Sequence, residues 1–112
     1  MLVVSTVRRV RQLMVEQRTA LANQLRSLLA EYGLIIPAGI QRLQQQLLEL
    51  IEDASNGLTF TLRRLLYSLR EDIQSLNERI ICLDKEIAAL SSQQTAYRHL
   101  LTIPGVGPLI AA

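Results

Sequence analysis

The residues of this chain best suited to holding a ligand are Gly105, Val106 and Gly107, near its end. They sit in the run Ile103-Pro104-Gly105-Val106-Gly107-Pro108, with Ala111 four residues after the second glycine. An apolar-Pro-Gly-apolar-Gly run of this kind is the pattern of a helix-hairpin-helix turn. Two glycines allow a tight turn and close approach by another backbone. Pro108 suits the first position of a new helix, while Ile103 and Val106 would point inward and hold the hairpin. The N–H groups of Gly105, Val106 and Gly107, at a helix N-terminus, would then face a nucleic-acid phosphate. Such contacts position a backbone and read no base sequence. A tight turn between helices with no ligand is the alternative.

Arginine supplies the second candidate chemistry. Five arginines (Arg8, Arg9, Arg11, Arg18, Arg26) stand against one acid, Glu16, in the first thirty residues. A basic stripe on a helix can track a phosphate backbone; a solvated helix face reads the same way. Arg18, Asn23 and Arg26 are the nucleic-acid contacts this stripe suggests, with pairing inside the helix as the competing role.

Other chemistry is poorly supported. Glu71, Asp72, Glu78, Asp84 and Glu86 are spread along a single helical pattern, whereas catalytic carboxylates and two-metal sites need acids converging from different elements. His99 is the only histidine and has no cysteine or acid at metal-ligand spacing. Ser91 and Ser92 have no base beside them, and Cys82 reads as an inert or partly exposed thiol. No catalytic residue, metal or cofactor is expected in this stretch itself. One cysteine excludes an internal disulfide framework and fits a reducing bacterial cytoplasm. No apolar run approaches the roughly 18 residues of a membrane span, and Arg8, Arg9 and Arg11 interrupt any secretory leader.

The elements that must carry these residues are helices. Of the 112 residues 49% are hydrophobic but only 4% aromatic, with a net charge of +2. Aliphatic residues without rings suit long helices packed side by side. A first helix is predicted over about residues 3–32, with Val3, Val7, Val10, Met14, Leu21 and Leu28 on one face and Gln17 and Gln24 in the intervening slots. Gly33 would cap it, and Pro37 bars its continuation. A second helix is predicted over about residues 38–54, with Ile40, Leu43, Leu47, Leu50 and Ala54 on one face, followed by a Ser55-Asn56-Gly57 turn.

The third helix, about residues 59–101, carries the strongest pattern. Leu62, Leu66, Leu69, Ile73, Leu76, Ile80, Leu83, Ile87 and Leu90 alternate at four- and three-residue steps, continuing through Gln94, Tyr97 and Leu101. This heptad seam marks a coiled coil about 60 Å long. At about 1.5–3 kcal/mol per seam residue, the ribbon must be covered by another helix. Leucine in one set of slots and isoleucine in the other favours a parallel pair, with Arg79 and Asp84 flanking the seam as a pair between chains. The competing arrangement folds the first helix back on the third; a dimer of hairpins satisfies both. Gln94 either fixes register or marks fraying. The fold class is therefore all-α, a long-helix antiparallel hairpin or coiled coil of about three helices ending in a truncated helix-hairpin-helix-like turn. Residues 1–101 are expected to be one coiled-coil helical region suited to dimerisation, and the family resemblance described next implies that they act as a linker and that 102–112 open a following domain.

Several stretches resemble the central region of the IS-one-ten-like insertion-sequence transposases. They are Val7-Arg8-Arg9-Val10-Arg11-Gln12-Leu13, residues 17–34 from Gln17-Arg18-Thr19 to Tyr32-Gly33-Leu34, the turn Glu52-Asp53-Ala54-Ser55-Asn56-Gly57-Leu58, and Leu100-Leu101-Thr102-Ile103-Pro104-Gly105-Val106-Gly107-Pro108. They follow in the family's order and span nearly the whole chain. The resemblance implies a RuvC-like domain with a metal-binding Asp-Glu-Asp-Asp set before Met1, which would use a divalent metal. It also implies a domain with a nucleophilic serine beyond Ala112, opened by the helix-hairpin-helix-like segment. Family members recombine DNA, some guided by a structured RNA. No catalytic residue transfers to this chain, which looks cut from a longer one and should be inactive alone. The expected role is to associate protomers and space the catalytic domains, as a homo-oligomer acting on DNA, with guide RNA a further partner of the full-length protein. A stand-alone coiled-coil scaffold and a DNA-repair module with a complete helix-hairpin-helix are the competing readings.

Overall fold

Helix starts and stops are set by a few local bonds. The computed structural model describes residues 2–36 and 39–102. It has α1 (Leu2–Glu31), α2 (Ile40–Glu52), a one-turn 3-10 segment at Ala54–Asn56, and α3 (Phe60–Thr102). No strand occurs among the described residues. Gly33, at φ 75°, ends α1: its N–H donates to the Ala30 carbonyl, and the Leu34 N–H donates to that of Leu29, each at 3.0 Å. This bond pair closes a helix on a left-handed residue, and it turns Leu34 and Ile36 onto the core around Leu29. Beyond Glu52, Asp53 adopts an extended backbone, and its carboxylate accepts from the Ser55 N–H at 2.9 Å. That local bond competes with helix continuation, so Ala54 lies in the 3-10 turn rather than on the face of α2 predicted from sequence. Gly57 completes the turn at φ 75°. The Thr59 hydroxyl then accepts from the Leu62 N–H at 3.2 Å, an N-cap contact that opens α3.

The helix ribbon of α3 is covered within the chain. Arg18 Nη1 donates to Asn77 Oδ1 at 2.7 Å, and Arg11 pairs with Asp84. Advancing seven residues along α1 retreats seven along α3, so the two helices run antiparallel in one fixed register. α2 packs against α3 over the half nearest the turns. There Ala22, Leu25, Leu29, Ile36, Leu43, Leu47, Leu62, Leu66 and Ile73 make one three-helix core. Past Ile73 only α1 and α3 remain. Ile80 and Met14 are still buried, but Leu76, Leu83, Ile87 and Leu90 are half-buried. The result is a rod of 73 × 21 × 19 Å with a radius of gyration of 21.5 Å, against about 13 Å for a compact chain of this length. Leu2 and Thr102 lie at the same, thinner end of the rod, with the turns at the other.

Two further sequence expectations change. The face of α1 turns after Met14: Ala22, Leu25 and Leu29 are buried, Leu21 and Leu28 are half-buried, and Val3, Gln17 and Gln24 are exposed. The predicted spacing would have placed two amides in the apolar seam; rotation by one position replaces them with leucine and with Arg18, whose long stem tolerates such a slot. Asp84, expected to pair with Arg79 across chains, is instead held by Arg11 of its own chain.

Candidate nucleic-acid interface

The first half of α1 brings Arg11 and Arg18 to the α3 side of the rod, where they are half-buried. Arg26, about two turns further on, is also half-buried. It donates through Nη1 to Asn23 Oδ1 at 3.4 Å and through Nη2 to the Gly39 carbonyl at 3.3 Å. Arg18 and Arg26 are thus held by the protein as well as placed near its surface. The Nε atoms of both are enclosed with no hydrogen-bond acceptor. Arg8 and Arg9, by contrast, are exposed. The basic stripe is therefore split: its outer members face solvent, and its inner members line the cleft between helices.

A groove opens where the N-terminus of α2 ends over the α1–α3 pair. It has a volume of about 760 Å³ and is lined by Arg11, Arg18, Arg42, Gln41, Gln44 and Asn77, among others, with Asp84 as its one acid. Sequence reasoning picked out Arg18 but missed Arg42, which lies on α2 and joins the other two only through the fold. Its signal in the sequence is faint, a lone cation in a glutamine-rich helix.

Arg63 is the other residue missed. It donates from Nη1 to the Ile51 carbonyl at 2.7 Å and the Leu50 carbonyl at 3.2 Å, from Nε to the Leu58 carbonyl at 3.1 Å, and from Nη2 to Asn56 Oδ1 at 2.6 Å. One guanidinium therefore ties the start of α3 to the last turn of α2, whose C-terminal carbonyls, the negative end of that helix dipole, attract a cation. Nearby, the hydroxyl and then the N–H of Ser55 donate to Asp53 and hold its carboxyl below the ordinary 3.8, with the Arg63 charge adding to the effect against a small opposing influence of desolvation. These bonds build the tip of the rod and leave little donor capacity for a ligand.

The remaining candidates do not assemble into a reactive centre. Glu71, Asp72, Glu78 and Glu86 are exposed along α3, and among the described residues no three of His, Cys, Asp and Glu are placed to hold a metal ion. Cys82 is an exposed free thiol. His99 is exposed in the last turn of α3. Helix α3 runs unbroken through Ser91, Ser92 and Gln94; the cover thins there because α1 begins, not because α3 unwinds. No helix among the described residues is long and apolar enough to cross a membrane. The turn residues Gly105, Val106 and Gly107 lie outside the described residues.

Comparison with known proteins supplies a relationship. The chain is 32% identical over 108 residues, 96% of its length, to the transposase for insertion sequence element IS1111A of Coxiella burnetii. It spans 30% of that relative's length. No protein-family model and no solved structure matches. The chain is thus related, over nearly all of its residues, to part of an insertion-sequence transposase.

Proposed function

We propose that this chain is the central helical part of a transposase of the IS-one-ten-like kind, acting in DNA transposition by associating protomers and setting the spacing of their catalytic domains. The observation that carries this reading is the end-to-end similarity to a segment of a much longer transposase. The absence of convergent acids among the described residues is compatible with catalysis residing elsewhere: a divalent metal in the RuvC-like domain, a nucleophilic serine in the domain that follows. The helix-hairpin-helix-like turn around Gly105, Val106 and Gly107 would open that second domain and meet the DNA backbone.

The rod's geometry refines the spacing role. Leu2 and Thr102 emerge at one end, so parts attached to them sit side by side and the rod projects from both. It would then set distances between protomers rather than between the two catalytic parts of one chain. The half-buried stretch Leu83, Ile87 and Leu90 is the apolar surface a second protomer would cover. DNA, and a guide RNA in the full-length protein, are the proposed nucleic-acid partners, and the bacterial cytoplasm the proposed location.

The DNA flanking the coding region tests the assignment. Codons for an acidic metal-binding domain upstream and for a serine domain downstream are expected, bounded by element ends. An intact, unrelated reading frame on both sides would refute it. The chain alone should show no nuclease or strand-transfer activity with magnesium present.

A further inference from the structure

We propose that the groove between the N-terminus of α2 and the α1–α3 pair binds a phosphate group, with a nucleic-acid backbone as its source; the choice of source rests on the transposase reading above. Three arginines, Arg11, Arg18 and Arg42, converge there from two helices. Asp84 is the one acid in the lining, and it is already paired with Arg11. Asn77 likewise has its Oδ1 taken by Arg18. The side chains thus offer more donors than acceptors, and the groove keeps a net positive charge of two.

Two further features point to an acceptor from outside. Arg18 Nε and Gln44 Nε2, both on residues of the groove wall, are enclosed donors without a partner. An enclosed unmade hydrogen bond is costly, so a small shift that meets an anion oxygen would be favoured. The N-terminus of the 13-residue α2, at Gly39, has no side-chain cap. Its first N–H groups lack acceptors within the helix and carry the positive end of the dipole. A phosphate group, with a negative charge and several acceptor oxygens, has the chemistry that charge, side-chain donors and helix N–H groups each call for. The groove is open and shallow enough for a backbone phosphate that remains attached to its chain, and it has no aromatic ring on which a base could stack, so it would grip the backbone without reading sequence.

Titration of the 112-residue chain with a fluorescent single-stranded oligonucleotide, across a range of salt, tests this. Arg42 is exposed and makes no side-chain hydrogen bond among the described residues, so Arg42→Gln should fold normally, checked by circular dichroism. It is expected to weaken oligonucleotide binding about three- to tenfold and to lower the salt slope by about one. Arg79→Gln, removing an exposed arginine of α3 outside the groove, should leave both unchanged. Pyrophosphate is the second ligand. If it binds in an Arg42-dependent manner while the oligonucleotide does not bind, the phosphate site stands with a free phosphate compound as its source, and the nucleic-acid part of the transposase reading fails. If the oligonucleotide binds but Arg42→Gln and Arg79→Gln weaken it equally, the site is refuted and that reading survives. If neither ligand binds at low salt, the site is refuted outright.

Discussion

Among the described residues, Arg63 is a polar side chain that ties the tip of the rod together. Its guanidinium joins the end of α2, the Asn56 turn and the base of α3 through four bonds. Arg63→Ala should cost about 1–2 kcal/mol, because the Ile51 carbonyl loses its bond while Leu50 keeps the one from Asn56. The urea midpoint measures this, and an unchanged midpoint would mean that water replaces the clamp. Asp53 acts beside it through charge. Its folded carboxyl titrates below the ordinary 3.8 because Ser55 donates to it. The stability it contributes is therefore complete above that value and lost as the pH falls through the lower, folded one. The midpoint difference between the chain and Asp53→Ala should hold steady from pH 7 to about 4.5 and shrink below about 3.8. A difference that persists undiminished at pH 2 would show that Asp53 acts by shape alone.

At the scale of elements, the heptad ribbon of α3 and the cap at Gly33 were legible from sequence because each rests on local rules: a strict period and one left-handed residue. The bounds of all three helices follow from the same rules to within two residues. The face of α1 beyond Met14 was not legible. Its seam carries Arg11 and Arg18, which look like surface residues until Asp84 and Asn77 appear opposite them. The groove was hidden for the same reason, since Arg42 meets Arg18 only after three helices pack. Burial also divides α3 in a way its uniform repeat conceals. Leu66 is fully buried where three helices meet, whereas Leu90 is half-buried between two. Leu66→Ala should therefore destabilise the chain by about 2–5 kcal/mol, and Leu90→Ala by less than half as much as Leu66→Ala. Equal losses in urea unfolding would indicate that a further helix covers Leu90 in solution, as association would require.

The whole molecule is a rod that doubles back on itself, thick and well packed at its turns and thin at the end where α1 begins and α3 finishes. Among the described residues no acids converge on a metal-binding cluster, but the rod has length, direction and a half-covered apolar strip. The proposed role, an arm that reaches from one protomer to another, rests on those properties. Sedimentation velocity of the 12.6 kDa chain at high micromolar concentration is the most direct measurement of this. A species of twice the monomer mass, with the high frictional ratio of an elongated particle, is the expected result. A monomer at that concentration would contradict the assembly role, and a compact frictional ratio would contradict the rod itself.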